Sequence, residues 1–357
     1  MRPLQVTIDY QALNHNFKRA KDYSPHSKVM SVLKANAYGH GLIEVARCLN
    51  QSDGFSVLTL TEAIELREFG FNQEILMLEG FFERYEVSIA AQLNIGVTLH
   101  NQEQLNFILD EKPKKPIDIH LKVNTGMNRL GFLPEKVPDI LKAITASPFI
   151  GKIILMTHFA NADEAVGITS QMQAFNSIRS EQLERSVANS AALIRYPESR
   201  LEWVRPGIML YGASPFEGSS VKDLDLVPVM TLKSKIIAIQ SIKIGESVGY
   251  GSSFFAKKTM KIGIVACGYG DGYPRHAVTG TPVTVNNVMT STVGRVSMDM
   301  LYVDITKLKS ASIGSDVELW GKNVPVDSVA EKSGTVGYEL LCSISSTKRV
   351  PLRYLDG

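Results

Sequence analysis

The sequence predicts an α/β protein, a (β/α)8 TIM-type barrel followed by a mostly β C-terminal domain. Three observations point there. Short runs rich in apolar and β-branched residues recur about eight times in the first two thirds of the chain. Segments of helical period separate most of them, and strand–helix alternation with short connections means parallel βαβ units. Near Asp223 the character changes to strands joined by turn-rich links.

The barrel strands read, in order, as "KVMSVLKAN" (28–36), "GFSVLTL" (54–60), "EILMLEG" (74–80), "IGVTLHN" (95–101), "IDIHLKVN" (117–124), "GKIILMTH" (151–158), "RSVANS" (185–190) and "WVRPGIMLYG" (203–212). Helical pattern fills 42–50, 61–69, 102–109 and 134–146, and Asn101 with Gln104 reads as a capping box. About eight such units favour a closed barrel over an open doubly wound sheet. Residues 1–224 are therefore assigned to the barrel and 225–357 to the β-rich domain. The strands of the latter read as "VPVMTLKSKIIAIQSI", "KIGIVACGYG", "TPVTVNN", "LYVDI" and "DVELWG", with helical pattern returning at the end of the chain.

The composition narrows the function. The 357 residues suit a large barrel plus a second domain. A formal charge of +2 gives no electrostatic footprint for nucleic acid or an anionic membrane. Small molecules or other protein chains are the expected partners. Cys48, Cys267 and Cys342 form no CxxC pair and suit a reducing cytoplasm. The N-terminus has no apolar signal-peptide core, and no apolar run is long enough to span a bilayer. The expected location is cytoplasmic.

A barrel of this kind carries its chemistry at the C-terminal ends of its strands. The first strand ends at Lys34, with Asn36 and Tyr38 just beyond. The fifth carries Lys122 and runs into "NTGMNRLGF", which holds Arg129. The sixth ends at His158, and the seventh at Asn189 and Ser190. The eighth carries Arg205, followed by Pro206, Gly207 and Ile208. Any one of these would suit a surface polar residue after a strand. Five strand ends delivering such groups to one rim imply an anionic ligand. Gly39, Gly41, Gly207 and Ser190 can bring backbone N–H groups and a hydroxyl close to phosphate oxygens. No GxxxxGK[ST] run is present, and "GYGDGYP" (268–274) is not followed by helical pattern, so neither nucleotide fingerprint applies. No HExxH or Cys/His cluster points to a metal. A rim lysine that is desolvated or crowded by cations becomes a nucleophile for a carbonyl. A lysine imine beside a phosphate cradle is what pyridoxal 5′-phosphate (PLP) requires.

These segments resemble the bacterial alanine racemase family, PLP enzymes built on a (β/α)8 barrel. The resemblance runs from "VLKANAYGHG" through "KVNTGMNRLGF", "THFANAD", "ANSAA", "VRPGIMLYG", "SVGYGSSF", "GYGDGYPR" and "VGRVSMDM" to "RVP". It implies that Lys34 holds the cofactor aldehyde and acts as one base. It implies that Tyr250, supplied by the second domain of a partner subunit, acts as the opposite base. Without the resemblance, Tyr250 reads as a strand-end aromatic packed in the β domain. Arg205 matches the arginine facing the pyridine nitrogen. Arg129 matches one supporting the cofactor ring and substrate side, paired with a lysine, here Lys122, that is carbamylated in many members. His158 matches a histidine near the ring. Tyr38, Ser190, Gly207 and Ile208 match phosphate contacts, with Asn189 at the same strand end. Met298 matches a residue whose backbone N–H meets the substrate carboxylate, and Tyr269 an entrance tyrosine. One position departs from the family: Lys348 stands where many members have a phosphate-contacting tyrosine. Lys348, Tyr354 or a serine is expected to take over that contact.

The implied reaction interconverts L- and D-alanine in a homodimer with shared active sites, and supplies D-alanine for peptidoglycan. Two other readings compete: a PLP-dependent amino-acid decarboxylase of related fold, and a non-catalytic PLP-carrier barrel. Arg205 and Tyr250 argue against the first, and the long β-rich domain against the second.

Overall fold

A computed structural model describes residues 2–179, 182–346 and 349–355. The first strand, β1 (Gln5–Asp9), leads into a helix at Tyr10–Tyr23 that Asp9 caps by accepting from the Ala12 N–H. Eight parallel strands then close into a barrel: β2 (Lys28–Val32), β3 (Gly54–Val57), β4 (Glu74–Met77), β5 (Ile95–Leu99), β6 (Ile117–Lys122), β7 (Ile150–Met156), β8 (Glu184–Ala188) and β9 (Trp203–Val204). Closure runs through Lys28–Trp203 and Val29–Val204. All eight sequence runs form barrel strands.

Alternate residues of each strand face the lumen. Met30, Leu76, Ile154, Met156 and Trp203 pack there as one buried cluster. Below them Glu184 gathers Lys28 (2.9 Å), Lys152 (2.8 Å) and the Trp203 indole N–H (2.6 Å). This network closes the N-terminal end of the barrel, so the open end lies at the strand C-termini.

The helices fall where the periodicity put them, with boundaries shifted by a few residues, at Leu42–Cys48, Leu60–Glu68, Gln102–Glu111 and Val137–Thr145. The capping box expected at Asn101 and Gln104 is only half formed. Asn101 accepts from the Gln104 N–H, but the Gln104 side chain accepts from His100 instead of Asn101. The full reciprocal box is at Thr59 and Glu62.

The rest of the chain is mostly sheet. A 13-residue strand, β10 (Met230–Ile242), pairs antiparallel with β1, Met260–Val265 and Asp316–Trp320. Pro282–Val285 and Val288–Ser291 form a hairpin whose two turn residues, Asn286 and Asn287, have φ of 48° and 63°. Two left-handed residues make the turn whose twist fits a hairpin. Leu352–Leu355 lies parallel to β1. Both ends of the chain therefore meet in this second sheet. Two helices, Val326–Lys332 and Gly337–Ser346, follow the last long strand. The latter lies over the barrel mouth, where a Cβ on Gly39 would collide with the Leu341 carbonyl oxygen. Among the described residues, no helix is long and apolar enough to cross a membrane.

Candidate active site

Lys34 opens the single helical turn Lys34–Tyr38, two residues beyond β2. The turn is left-handed: Ala35, Asn36, Ala37 and Tyr38 have φ between 51° and 55°. A left-handed helix costs roughly 1–2 kcal/mol per non-glycine residue, so this turn is held by its surroundings. The Ala37 N–H donates to the Leu33 carbonyl at 2.7 Å, and Gly41 N–H to Asn36 at 3.1 Å. The Asn36 side chain accepts from the Leu42 N–H at 2.8 Å, fixing the start of the next helix. The turn after Lys34 is thus a fixed one, and its unusual backbone extends through four residues that have side chains.

The turn forms one wall of a cavity of about 800 Å³ at the open end of the barrel. Lys34, Tyr38, Lys122, Arg129, His158, Asn189, Ser190, Arg205, Gly207 and Ile208 all line it. The rim read from the sequence is therefore brought together.

Arg205 is buried across the cavity floor. It donates to the Ser186 carbonyl and hydroxyl at 2.7 Å each and to the Thr157 carbonyl at 2.8 Å. Burial pushes its pKa down to about 10, which leaves it charged at neutral pH. Three of its five N–H donors are used, and the others remain for a ligand.

Ser190 begins the next short helix, which Asn189 caps through Ala192 N–H at 3.0 Å. The Ser190 hydroxyl oxygen accepts from Gly207 N–H (2.9 Å) and Met209 N–H (3.4 Å). Its own proton is left to donate. A Cβ on Gly207 would lie 2.7 Å from the Tyr38 hydroxyl. Only glycine there lets the hydroxyls of Tyr38 and Ser190 converge beside backbone amides. That donor set fits a phosphate, and Arg205 opposite fits a ring nitrogen, so the residues present suit PLP.

Cations crowd the centre. Burial and then Arg129 lower the Lys34 pKa. Burial, then Arg205, Arg129 and Lys34, push Lys122 down to about 8. Burial and the same cations, Arg205 first, hold His158 well below its usual range, and its Nε2 lies 3.5 Å from the Asn189 amide. Both amines are thereby biased towards the neutral, nucleophilic form.

Tyr250, Tyr269 and Met298 lie elsewhere. All three are exposed on the second sheet's side of the molecule, Tyr250 at 74%, and none lines the cavity of its own chain. Tyr269 and Met298 sit on adjoining loops, joined by bonds from Tyr269 N–H to Ser297 (3.1 Å) and from Gly270 N–H to Met298 (2.8 Å). Lys348 lies outside the described residues. Tyr354 packs behind the Lys34 turn, stacked on Tyr10 at 5.6 Å and pressed against Gly41, and it does not line the cavity.

Among the cavity residues that escaped the sequence reading are Glu79, His100, Tyr338 and Cys342. Glu79 and His100 follow the ends of β4 and β5, and His100 Nε2 lies 2.9 Å from the Glu79 carbonyl. Reading every strand end, rather than five of eight, finds both. Tyr338 and Cys342 come from the helix Gly337–Ser346, and no local signal links that helix to the barrel mouth.

Known proteins similar to this chain cover it almost end to end. The family profile "Alanine racemase, N-terminal domain" matches residues 8–215, and "Alanine racemase, C-terminal domain" matches 229–354. An alanine racemase of Nitrosospira multiformis is 48% identical over 96% of this chain and 98% of its own. A protein of Klebsiella aerogenes named "Alanine racemase, catabolic" is 47% identical over 98% and 99%. The solved biosynthetic alanine racemase of Pseudomonas aeruginosa superposes with a TM-score of 0.97 at 42% identity, covering 100% of both chains.

Proposed function

The chain belongs to the alanine racemase family, and from that premise we propose how its own residues carry the reaction. The enzyme is a PLP-dependent racemase that interconverts L- and D-alanine. When bound, PLP would supply an electron-accepting ring that makes the substrate Cα–H bond more acidic.

Lys34 Nζ holds the cofactor aldehyde in the resting enzyme and moves the α-proton on one face of the substrate. One observation carries this: a half-buried amine with a lowered pKa faces a preformed phosphate cradle across one cavity. Tyr38, Ser190, Gly207 and Ile208 hold the phosphate, with Asn189 and His158 beside the ring. Arg205 keeps its proton and would meet the ring nitrogen as a hydrogen-bond donor without protonating it, which would favour return of the proton to Cα. Its three-fold anchoring disfavours the decarboxylase reading.

The second base is Tyr250 of the partner subunit, with Tyr269 and Met298 of that subunit at the substrate entrance. Their exposure outside their own cavity supports a homodimer with shared sites. Tyrosine titrates near pH ~10 and needs cationic neighbours to act as a base. The cluster around Arg205 and Arg129 supplies them. Arg129 supports the substrate side, and Lys122 is the candidate for carbamylation.

Residues 1–224 form the cofactor domain and 225–357 the β-rich domain, with β1 lent to the second sheet. The enzyme works in the cytoplasm and supplies D-alanine for peptidoglycan. Deleting its gene should then create a requirement for D-alanine, and growth without it would assign a catabolic role. Borohydride reduction of the holoenzyme followed by peptide mapping tests the central assignment. The pyridoxyl group is expected on Lys34, and a label on Lys122 would overturn it.

A further inference from the structure

The left-handed turn has a support that lies outside the cavity. His40 is fully buried behind it. His40 Nδ1 lies 2.9 Å from the Tyr38 carbonyl and 3.1 Å from the Ala37 carbonyl. Carbonyls only accept, so Nδ1 carries the proton and Nε2 holds the lone pair. Among the described residues, Nε2 is buried without a hydrogen-bond partner. Burial also pushes the ring's pKa down to about 4, so it stays neutral at physiological pH. A buried unpartnered nitrogen is a cost, and the imidazole is kept there despite it.

The same ring reaches Tyr38 by a second route. His40 packs on Tyr211 with ring centroids 4.6 Å apart, and Tyr38 packs on Tyr211 at 4.7 Å. The Tyr211 hydroxyl donates at 2.8 Å to the carbonyl of Val32, the last residue of β2. Tyr38 is thus held at its carbonyl by His40 and at its ring by a tyrosine bonded to the strand that leads to Lys34. Ala37 and Tyr38 are two of the four left-handed residues. The Ala37 carbonyl also accepts from the His40 backbone N–H at 3.0 Å, so the side chain matters most at the Tyr38 carbonyl, where loss of the Nδ1–H donor frees the backbone to relax towards the right-handed conformation that tyrosine prefers. Relaxation would rotate Lys34 away from the cavity and withdraw the Tyr38 hydroxyl from Gly207.

We infer that His40 is a positioning residue for the cofactor, whose Nδ1–H clamps the Ala37 and Tyr38 carbonyls and so sets Lys34 and the Tyr38 hydroxyl at their places in the cavity. The inference rests on the reading that Lys34 and Tyr38 hold PLP.

Two variants of the full-length enzyme separate the clamp from packing. His40→Phe keeps a ring against Tyr211 but has no donor. His40→Asn places an amide N–H near the position of Nδ1. Each is converted to the apoenzyme and titrated with PLP by fluorescence. His40→Phe should bind PLP about tenfold more weakly, the scale of one lost buried hydrogen bond. Its kcat should fall with the alanine KM nearly unchanged. His40→Asn should recover most of the PLP affinity.

Wild-type PLP affinity in His40→Phe, or no recovery in His40→Asn, overturns the inference. If His40→Phe does not fold, ¹⁵N NMR of the wild-type imidazole decides. The neutral Nδ1–H tautomer supports the clamp, and the Nε2–H tautomer or a charged ring at neutral pH refutes it. Borohydride mapping of the wild-type enzyme keeps the two readings apart. A label away from Lys34 defeats the site assignment. A label on Lys34 with unchanged PLP affinity in His40→Phe defeats the role of His40 alone.

Discussion

Arg205 donates through one terminal nitrogen to both the carbonyl and the hydroxyl of Ser186, each at 2.7 Å. The guanidinium is therefore oriented by the strand next to its own, and its remaining donors are aimed by that strand's register. Arg205→Glu should lower racemase activity by roughly a hundredfold or more. It should also raise side transamination, because a carboxylic acid can protonate the ring nitrogen. The measure is pyridoxamine phosphate formed during turnover with alanine. No increase would mean that Arg205 does not control the ring. Ser186→Ala is the graded version and should cost about tenfold in kcat with little change in KM.

Lys122 is a buried lysine with no carboxylate ion-pair partner among the described residues, and burial and its cationic neighbours push its pKa down to about 8. A useful fraction is then neutral near pH 7, and a neutral amine adds carbon dioxide with loss of a proton. The resulting carbamate anion would offset Arg129 and Arg205. ¹³C-bicarbonate should give a protein-bound carbamate signal that Lys122→Ala abolishes. No signal between pH 7 and 9 in the wild-type enzyme would mean that Lys122 acts as an amine.

Glu184 at the closed end of the barrel tests stability independently of catalysis. Burial raises its pKa, but hydrogen bonds from Lys152, Lys28 and Trp203 win and bring it down to about 2. The folded pKa lies below the unfolded one, so the contribution is complete above about pH 4.5 and is lost as pH falls towards 2. Glu184→Gln should destabilise by roughly 1 kcal/mol near neutrality after allowance for solvent screening. It should also flatten the acid limb of the unfolding curve. Equal acid sensitivity in variant and wild type would contradict this.

The barrel was legible because its strands are buried on both faces. Runs such as Lys28–Val32 and Gly54–Val57 read as nearly continuous apolar or small residues, and turn signals bound them. The cationic rim was legible because strand ends carry the chemistry in this architecture. The left-handed turn was not. Gly39 and Gly41 signalled positive φ, but Ala35 and Ala37 have no local reason to adopt it, and the forces that hold them come from Leu33, His40 and Leu42. The exposure of Tyr250 was equally hidden, because a strand-end aromatic in a β-rich segment reads as packed, and Tyr269 and Met298 carried no local signal. Only resemblance to a family gave them a role, and that role requires a second chain.

The most direct test of the two-base, two-chain account mixes inactive Lys34→Ala with inactive Tyr250→Phe protein under conditions of subunit exchange. Each heterodimer would carry one site with both bases and one with neither. Random pairing at equal mixing makes about half the dimers heterodimers, so activity should approach about one quarter of wild type. Heterodimers that form, as judged by native mass spectrometry, yet stay as inactive as the separate variants would contradict the account.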